Sequence, residues 1–411
     1  MNKRKAITLG TVAAGAVIIL AETAALLNYK GLYESASREL AGSYKEESAV
    51  SLSANEMFDT AQTVEQIIEG YYLYDIDTEA MKDGLLTGML WGLGDPYSAY
   101  YDAQDYEALT IQATGEYSGV GAVITEQGDG TVTVVKVYSQ SPSAEAGVQS
   151  GDVFYEIDGE NVVGEDSTTI AARLKGEAGT SVEVKIYRAS LEEYISFSIV
   201  RRHIEIPSVS WRMASDQIGI MKIESWDLAT INQFKSAMED LEGQGMKGLV
   251  IDVRNNPGGL VSSAASILDY FVPDGGKLVY TVDKNERKEY YNAKDGEDCN
   301  IPLVVLINGN SASASEIFAG GIKDYEAGIL IGEKSYGKGI VQQVIPISET
   351  EAVKLTIAEY HLPNGESIHQ KGIEPDVEVS LNAELQLKTE LSEAEDLQLQ
   401  KGLEVIKSKI N

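Results

Sequence analysis

Cysteine occurs once in 411 residues, at Cys299. An internal disulfide is therefore excluded, and so is a zinc site of the Cys-x-x-Cys kind. The stretch before Cys299 carries Asp295, Glu297 and Asp298. That is the reverse of the electropositive setting that activates a thiol, so Cys299 reads as a loop residue without chemistry. Histidine is almost as scarce, limited to His203, His361 and His369. Basic residues are few: 33 Lys and Arg stand against 64 Asp and Glu, a net charge of −31. A chain this acidic lacks the positive footprint that a phosphate backbone requires, which argues against nucleic-acid partners. Broad docking on anionic lipid is disfavoured for the same reason. The plain reading of the charge is a solubilising acidic surface.

What is present begins at the N-terminus. Lys3, Arg4 and Lys5 precede a stretch from Ala6 to Ala21 without charge; Glu22 interrupts it, and Tyr29 and Lys30 follow. A membrane-spanning helix needs about 20 apolar residues, so residues 1–30 read as a short anchor, with a cleaved signal as the alternative. Either way the remainder is expected outside the cytoplasm, anchored to the membrane or secreted.

Residues 31–54 read as a linker. In residues 55–110 the apolar positions recur at three- and four-residue steps: Phe58, Ala61, Val64, Ile67 and Ile68, then Met81, Leu85, Leu86, Met89 and Leu90. That spacing predicts helices, the last ended by Asp95-Pro96. Residues 111–203 change to short β-rich runs separated by glycine turns, with one amphipathic helix near Ile170–Leu174. From 204 to 380 strand and helix alternate: Ile218–Ile223, Leu228–Leu241, Gly248–Val253, Leu260–Phe271, Leu303–Ile307, Ser315–Lys323 and Ile329–Ile331. Alternation of this sort implies βαβ units. Residues 340–380 return to strand character, and 381–411 read as a polar helical tail.

Two strand ends in the alternating region could carry chemistry, since open α/β sheets place ligands at the C-terminal ends of strands. One is Asp252-Val253-Arg254-Asn255-Asn256-Pro257-Gly258-Gly259. Its two glycines let backbone amides approach a ligand closely, as an oxyanion hole needs, but they serve equally as a tight turn. The other is Asn308-Gly309-Asn310-Ser311-Ala312-Ser313-Ala314-Ser315-Glu316, where a hydroxyl would sit at a helix start. Ser313 and Glu316 also fit a capping box, a purely structural use. No histidine lies near these strand ends, so a Ser-His-Asp triad has little support. A lysine could replace it. Lys334 and Lys338 follow the next strand, and burial would lower a lysine's pKa and make it a base near neutral pH. On composition alone either could instead be an ordinary surface lysine.

Taken together these segments resemble the carboxyl-terminal processing peptidases, the PDZ-containing serine proteases related to tail-specific protease. The residues that carry the likeness are Lys247–Arg254 with the Asn-Pro-Gly-Gly turn, Ser311–Ile317, Gly332-Glu333 with Tyr336-Gly337-Lys338-Gly339, and Lys371–Asp376. Upstream, Tyr117-Ser118-Gly119-Val120-Gly121 resembles the carboxylate-binding loop of PDZ domains, and Ser139–Gly151 resembles the stretch that follows it. The family often has Arg-Gly where this chain has Lys175-Gly176.

The resemblance implies a multi-domain α/β protein: a crotonase/ClpP-like ββα protease core (204–380) with an inserted PDZ domain (111–203) and an N-terminal helical segment (55–110). It implies that Ser313 is the nucleophile, Lys338 the general base and Gln342 the residue that orients the lysine. Gly258, Gly259 and Ala314 match the oxyanion hole. Ser118, Gly119, Val120 and Gly121 match the loop that holds a substrate's terminal carboxylate. No cofactor or metal is called for. The expected partners are proteins with accessible apolar C-termini, together with a second copy of the chain. Two other readings stand beside this one: a PDZ scaffold with an inactive protease fold, which active-site labelling would expose, and a crotonase-like acyl-CoA enzyme, which acyl-CoA binding would reveal.

Overall fold

In the computed structural model of this chain, residues 54–294, 299, 301–382, 385, 388 and 391–410 are described. The segment 1–30, read as an anchor or signal, lies outside them. Among the described residues no helix is long and apolar enough to cross a membrane. Two compact units are distinguished, Met1–Thr78 and Glu79–Asn411. The first contributes the helix Ala54–Tyr71.

In the second unit, two strands are buried at every position, Gly248–Asp252 and Leu303–Ile307. A continuous apolar run of this kind needs cover on both faces of its sheet. The sheet runs in the order Val209–Met213, Ile218–Ile223, Gly248–Asp252, Leu303–Ile307, Ile329–Gly332, Val377–Glu378. Its first pair is antiparallel and the others are parallel. On one face Leu249, Ile251, Val305 and Ile307 meet Phe234, Ile267, Ile317 and Phe318 from the helices Leu228–Gly243, Val261–Leu268 and Ala314–Asp324. On the other, Ile220, Val250, Val304 and Leu306 pack against Leu399 and Ile406 of the helix Leu397–Ile410. That C-terminal helix is thus a layer of the core as well as a tail. It lies so close that a Cβ on Gly248 would fall 2.4 Å from Ile406.

A second sheet joins Ala99–Tyr101, Ala352–His361, Lys277–Asp283 and Lys288–Asn292, with Ile340–Pro346 also paired to Ala352–His361. The helix Thr78–Trp91 ends ahead of Asp95-Pro96, where the sequence placed its stop, and Ala99–Tyr101 follows that turn and binds Ala352–Lys354. Neither this short strand nor the hairpin 277–292 shows a clear period in the sequence.

Residues 122–200 form a five-strand path, Ala122–Glu126, Val132–Val137, Val153–Ile157, Ser181–Arg188 and Glu193–Val200, packed on the helix Ser167–Leu174 through Ile170 and Leu174. Asp166 caps that helix by accepting from the Thr168 and Thr169 amides. At its other end the buried Arg201 donates to the Arg173 carbonyl (2.8 Å) and the Leu174 carbonyl (3.2 Å), where the helix dipole favours a cation. Glu116–Gly119 pairs antiparallel with Arg202–Glu205, and the Ile206 amide donates to the Gly115 carbonyl at 2.7 Å. The chain therefore enters and leaves this β-structure side by side. Lys175, in the position where the family often has arginine, forms an ion pair with Glu107 at 3.2 Å.

Candidate active site

The strand Gly248–Asp252 runs into the Asn-Pro-Gly-Gly turn, and the strand Leu303–Ile307 into the serine-rich turn beside it. Hydrogen bonds lock the two turns together. The Ser311 hydroxyl donates to the Val253 carbonyl (2.8 Å), the Ser315 hydroxyl to the Asn256 carbonyl (3.0 Å), and the Ala312 amide to that same carbonyl (3.1 Å). Ser315 also accepts from the Trp226 indole at 2.8 Å. Two of the three serines are thus buried and committed to holding backbone.

Ser313 is different. It is half-buried, its φ of 55° and ψ of −115° lie in a region that non-glycine residues avoid, and its hydroxyl makes no side-chain cap bond. A backbone of this kind costs about 1–3 kcal/mol and persists only where its surroundings over-determine it. Here they do. The Ser313 amide donates to Glu316 Oε2 (2.9 Å), the Glu316 amide donates to the Ser313 carbonyl (2.8 Å), and the Tyr360 hydroxyl reaches that carbonyl too (3.1 Å). One half of the expected capping box is therefore present, the half in which Glu316 reaches back.

Glu316 is fully buried and does more than cap. Its Oε1 accepts from the Ser335 hydroxyl (2.6 Å) and the Gly337 amide (2.7 Å), and its Oε2 also accepts from the Lys338 amide (2.9 Å). One carboxylate thereby joins the backbone of Ser313 to that of Lys338. Tyr360 makes a second bridge, since its buried hydroxyl also contacts the Lys338 carbonyl. Burial pushes the Tyr360 phenol well up, so it stays a donor. Neither residue stood out in the sequence: Glu316 reads there as a cap, and Tyr360 lies unremarked in the strand-rich stretch 340–380.

Lys338 is half-buried, and its amine lies 4.5 Å from the ring centroid of Tyr97. Burial lowers its pKa, Lys354 lowers it further, and Asp95 acts in the opposite direction; the net shift is downward. No hydrogen bond joins the amine to Ser313 among the described residues. Lys334, by contrast, is exposed and paired with Glu374 at 2.8 Å. Gln342 donates to the Thr356 hydroxyl at 3.4 Å, across the strand pair that carries it.

On the oxyanion side, Gly258 (φ 109°) faces the serine, and a Cβ there would fall 2.8 Å from Ser313 Cβ and 3.2 Å from the Ala314 nitrogen. Its own amide is already taken, donating to Asn256 Oδ1 at 2.9 Å. Gly259 (φ 148°) sits against Trp226, and a Cβ there would fall 2.3 Å from the Trp226 carbonyl oxygen, so only glycine fits. No amide hydrogen bond from Gly259 or Ala314 is found among the described residues. The three histidines are engaged elsewhere: His203 with Glu116 (3.2 Å), His361 stacked on Tyr280, and His369 accepting from the Gly339 amide (3.4 Å).

In the β-structure, Ser118 and Gly119 end one strand, and Val120 and Gly121 lead into Ala122–Glu126, which is the edge of its sheet. The Val120 carbonyl accepts from the Ser143 amide and the Gly121 carbonyl from the Tyr138 amide. Tyr117 lies over Gly119, and burial pushes its phenol up to about 12. Burial also pushes the Cys299 thiol up, in line with its reading as unreactive.

Residues 217–379 match the family model for peptidase family S41, residues 133–188 that of the PDZ domain, and residues 18–105 that of the activating protease CtpB N-terminal domain. The chain is 33% identical over 325 residues to the carboxy-terminal processing protease CtpB of Bacillus subtilis, covering 78% of this chain and 67% of the relative. It is 35% identical over 309 residues to a carboxy-terminal-processing protease of Bartonella bacilliformis, covering 74% and 70%. A solved chain from Bacteroides fragilis assigned to the S41 proteases superposes with a TM-score of 0.50 at 14% identity, over 82% of this chain and 93% of that one, a likeness of fold. The fold, the PDZ segment and these relatives agree: this chain belongs to peptidase family S41, as a serine peptidase of the carboxy-terminal processing type.

Proposed function

We propose that the chain cleaves proteins through a Ser313–Lys338 dyad, with the substrate's C-terminal tail captured by the PDZ domain. One observation carries this reading: a single buried carboxylate, Glu316, accepts from the backbone of both residues. The Lys338 side chain rotates from its place over Tyr97 to meet the Ser313 hydroxyl when a peptide binds. As a neutral amine it takes the hydroxyl proton while Oγ attacks the scissile carbonyl carbon. The Gly259 and Ala314 amides, beside Gly258, hold the oxyanion. The C–N bond breaks as the protonated lysine gives its proton to the leaving amine; neutral Lys338 then takes a proton from water, whose oxygen attacks the ester carbonyl carbon, and passes it to Ser313 Oγ as the C–Oγ bond breaks. Gln342 orients the lysine.

The loop Ser118, Gly119, Val120 and Gly121 receives the terminal carboxylate, and the tail adds as a strand beside Ala122–Glu126. Apolar C-termini fit this role. The same reading places the catalytic part outside the cytoplasm behind an N-terminal anchor and has the chain assemble as a homo-oligomer. Ser313→Ala should abolish peptide turnover and fluorophosphonate labelling while leaving thermal stability and tail binding intact. Residual cleavage of a PDZ-binding substrate by Ser313→Ala would sink the dyad.

A further inference from the structure

Asp95 and Tyr97 lie far upstream in sequence, before the PDZ segment, yet they stand next to Lys338. The strand Ala99–Tyr101 explains how: its pairing with Ala352–Lys354 draws the turn before it onto the protease sheet. Within that turn the Asp95 carboxylate accepts from the Tyr97 amide (3.0 Å) and the Ser98 hydroxyl (2.5 Å). Ser98 in turn accepts from the Thr356 amide at 3.1 Å, on the residue that also bonds Gln342. Burial, and the Tyr336 hydroxyl near its own, raise the pKa of the Tyr97 phenol, and the Tyr336 amide donates to the Ser311 carbonyl at 3.0 Å. Tyr97 is held at its backbone by Asp95, and the Lys338 amine rests 4.5 Å from its ring centroid, well inside the 6 Å range of a cation–π contact.

We propose that Tyr97 is a positioning residue for the Lys338 amine, holding it over the ring, with Asp95 fixing the turn that presents that ring. The proposal deepens the Ser–Lys reading and rests on it for its catalytic meaning. A ring face attracts the ammonium form and gains less from a neutral amine. Burial and Lys354 act in the opposite sense, while Asp95 sides with the ring. The other groups around Lys338 are Glu316 on its amide, Tyr360 on its carbonyl and Tyr336 two residues away, each bonded as described above. The ring thus supplies a resting place for a charged lysine from which the neutral base swings to Ser313.

The test compares Tyr97→Phe with replacement of Tyr97 by 3,4,5-trifluorophenylalanine in the full chain. The two rings have nearly one shape, so both fold, but fluorine withdraws the charge from the ring face. The titration of the Lys338 amine is read in the Ser313→Ala background from acetylation rate against pH by mass spectrometry. The fluorinated ring is expected to lower that titration relative to phenylalanine. In the active background the acid limb of kcat/KM moves to lower pH by the same amount, and Asp95→Asn moves it in the same direction by removing a negative charge. Tyr97→Leu, lacking a ring, is expected to lower the amine titration at least as far as the fluorinated ring does, whereas Tyr97→Phe keeps it close to that of the unaltered chain. Identical amine titration in the phenylalanine and fluorinated variants would overturn the proposal, as would a Tyr97→Leu variant whose amine titrates with that of Tyr97→Phe. The outcome is separable from that of the dyad. Sustained turnover by Lys338→Ala would refute the Ser–Lys mechanism, whereas the amine titration alone decides whether Tyr97 holds Lys338.

Discussion

A serine with φ of 55° at the head of a helix is strained, and its neighbours are spent on keeping it so. Glu316 is the most exposed to loss among them, not to solvent but to mutation. It takes four hydrogen bonds, from Ser313, Ser335, Gly337 and Lys338, within a fully buried site. Glu316→Ala leaves those donors without an acceptor. Each buried orphan costs about 1–3 kcal/mol, so a loss of about 3 kcal/mol or more is expected in urea unfolding. Turnover should fall to the level of Ser313→Ala, because both the serine turn and the lysine turn lose their shared anchor. A variant with wild-type stability and activity would show that the carboxylate is dispensable. At this scale the sequence was readable only in part. Ser311, Ser313 and Ser315 look alike in composition. Two of them turn out to donate to the neighbouring turn, at Val253 and Asn256, residues more than 50 positions away, and only the fold could reveal that.

Elements with strong periodicity were legible because burial imposes the pattern directly. The strands Ile218–Ile223, Gly248–Asp252 and Leu303–Ile307 and the helix Leu228–Gly243 fall where their apolar runs place them. The strand Ala99–Tyr101 was not legible: three residues carry no period, and its only reason to be a strand is the partner at Ala352–Lys354. The C-terminal helix was readable as a helix, but its role was not. Its Ile406 is fully buried against the sheet face made by Ile220, Val250 and Val304. Ile406→Ala should therefore cost about 2–4 kcal/mol, in the range for a buried isoleucine truncated to alanine, read as a lower denaturant midpoint. A change below about 0.5 kcal/mol, as surface substitutions give, would show the helix to be a loose appendage.

Across the whole molecule, the site draws on five stretches of chain: 95–98, 256–259, 311–316, 335–342 and 356–360. The PDZ segment interrupts them at a point where its ends meet, since Glu116–Gly119 pairs with Arg202–Glu205 and Ile206 bonds Gly115. Excising 116–205 and joining the ends with a short glycine-serine link should leave a folded protease core, because the break falls where the two chain crossings already touch. Fluorophosphonate labelling of Ser313 is expected to persist, and cleavage should cease to depend on a free substrate C-terminus. Unchanged dependence on that carboxylate would place tail recognition outside the PDZ segment.

Local physics written along the chain determined much by itself. Two buried parallel strands ending in glycine and serine turns, a lysine after the next strand and a glycine loop before a β-edge were legible from local pattern, and the family and the roles expected of Ser313 and Lys338 came from the resemblance that these motifs carry. What only the tertiary structure decided is which groups share a wall. Hydrogen bonds and charge act over a few ångströms in space, regardless of separation in sequence, so the meeting of Glu316 with Lys338, and of Tyr97 with the same lysine, had no local signature to read.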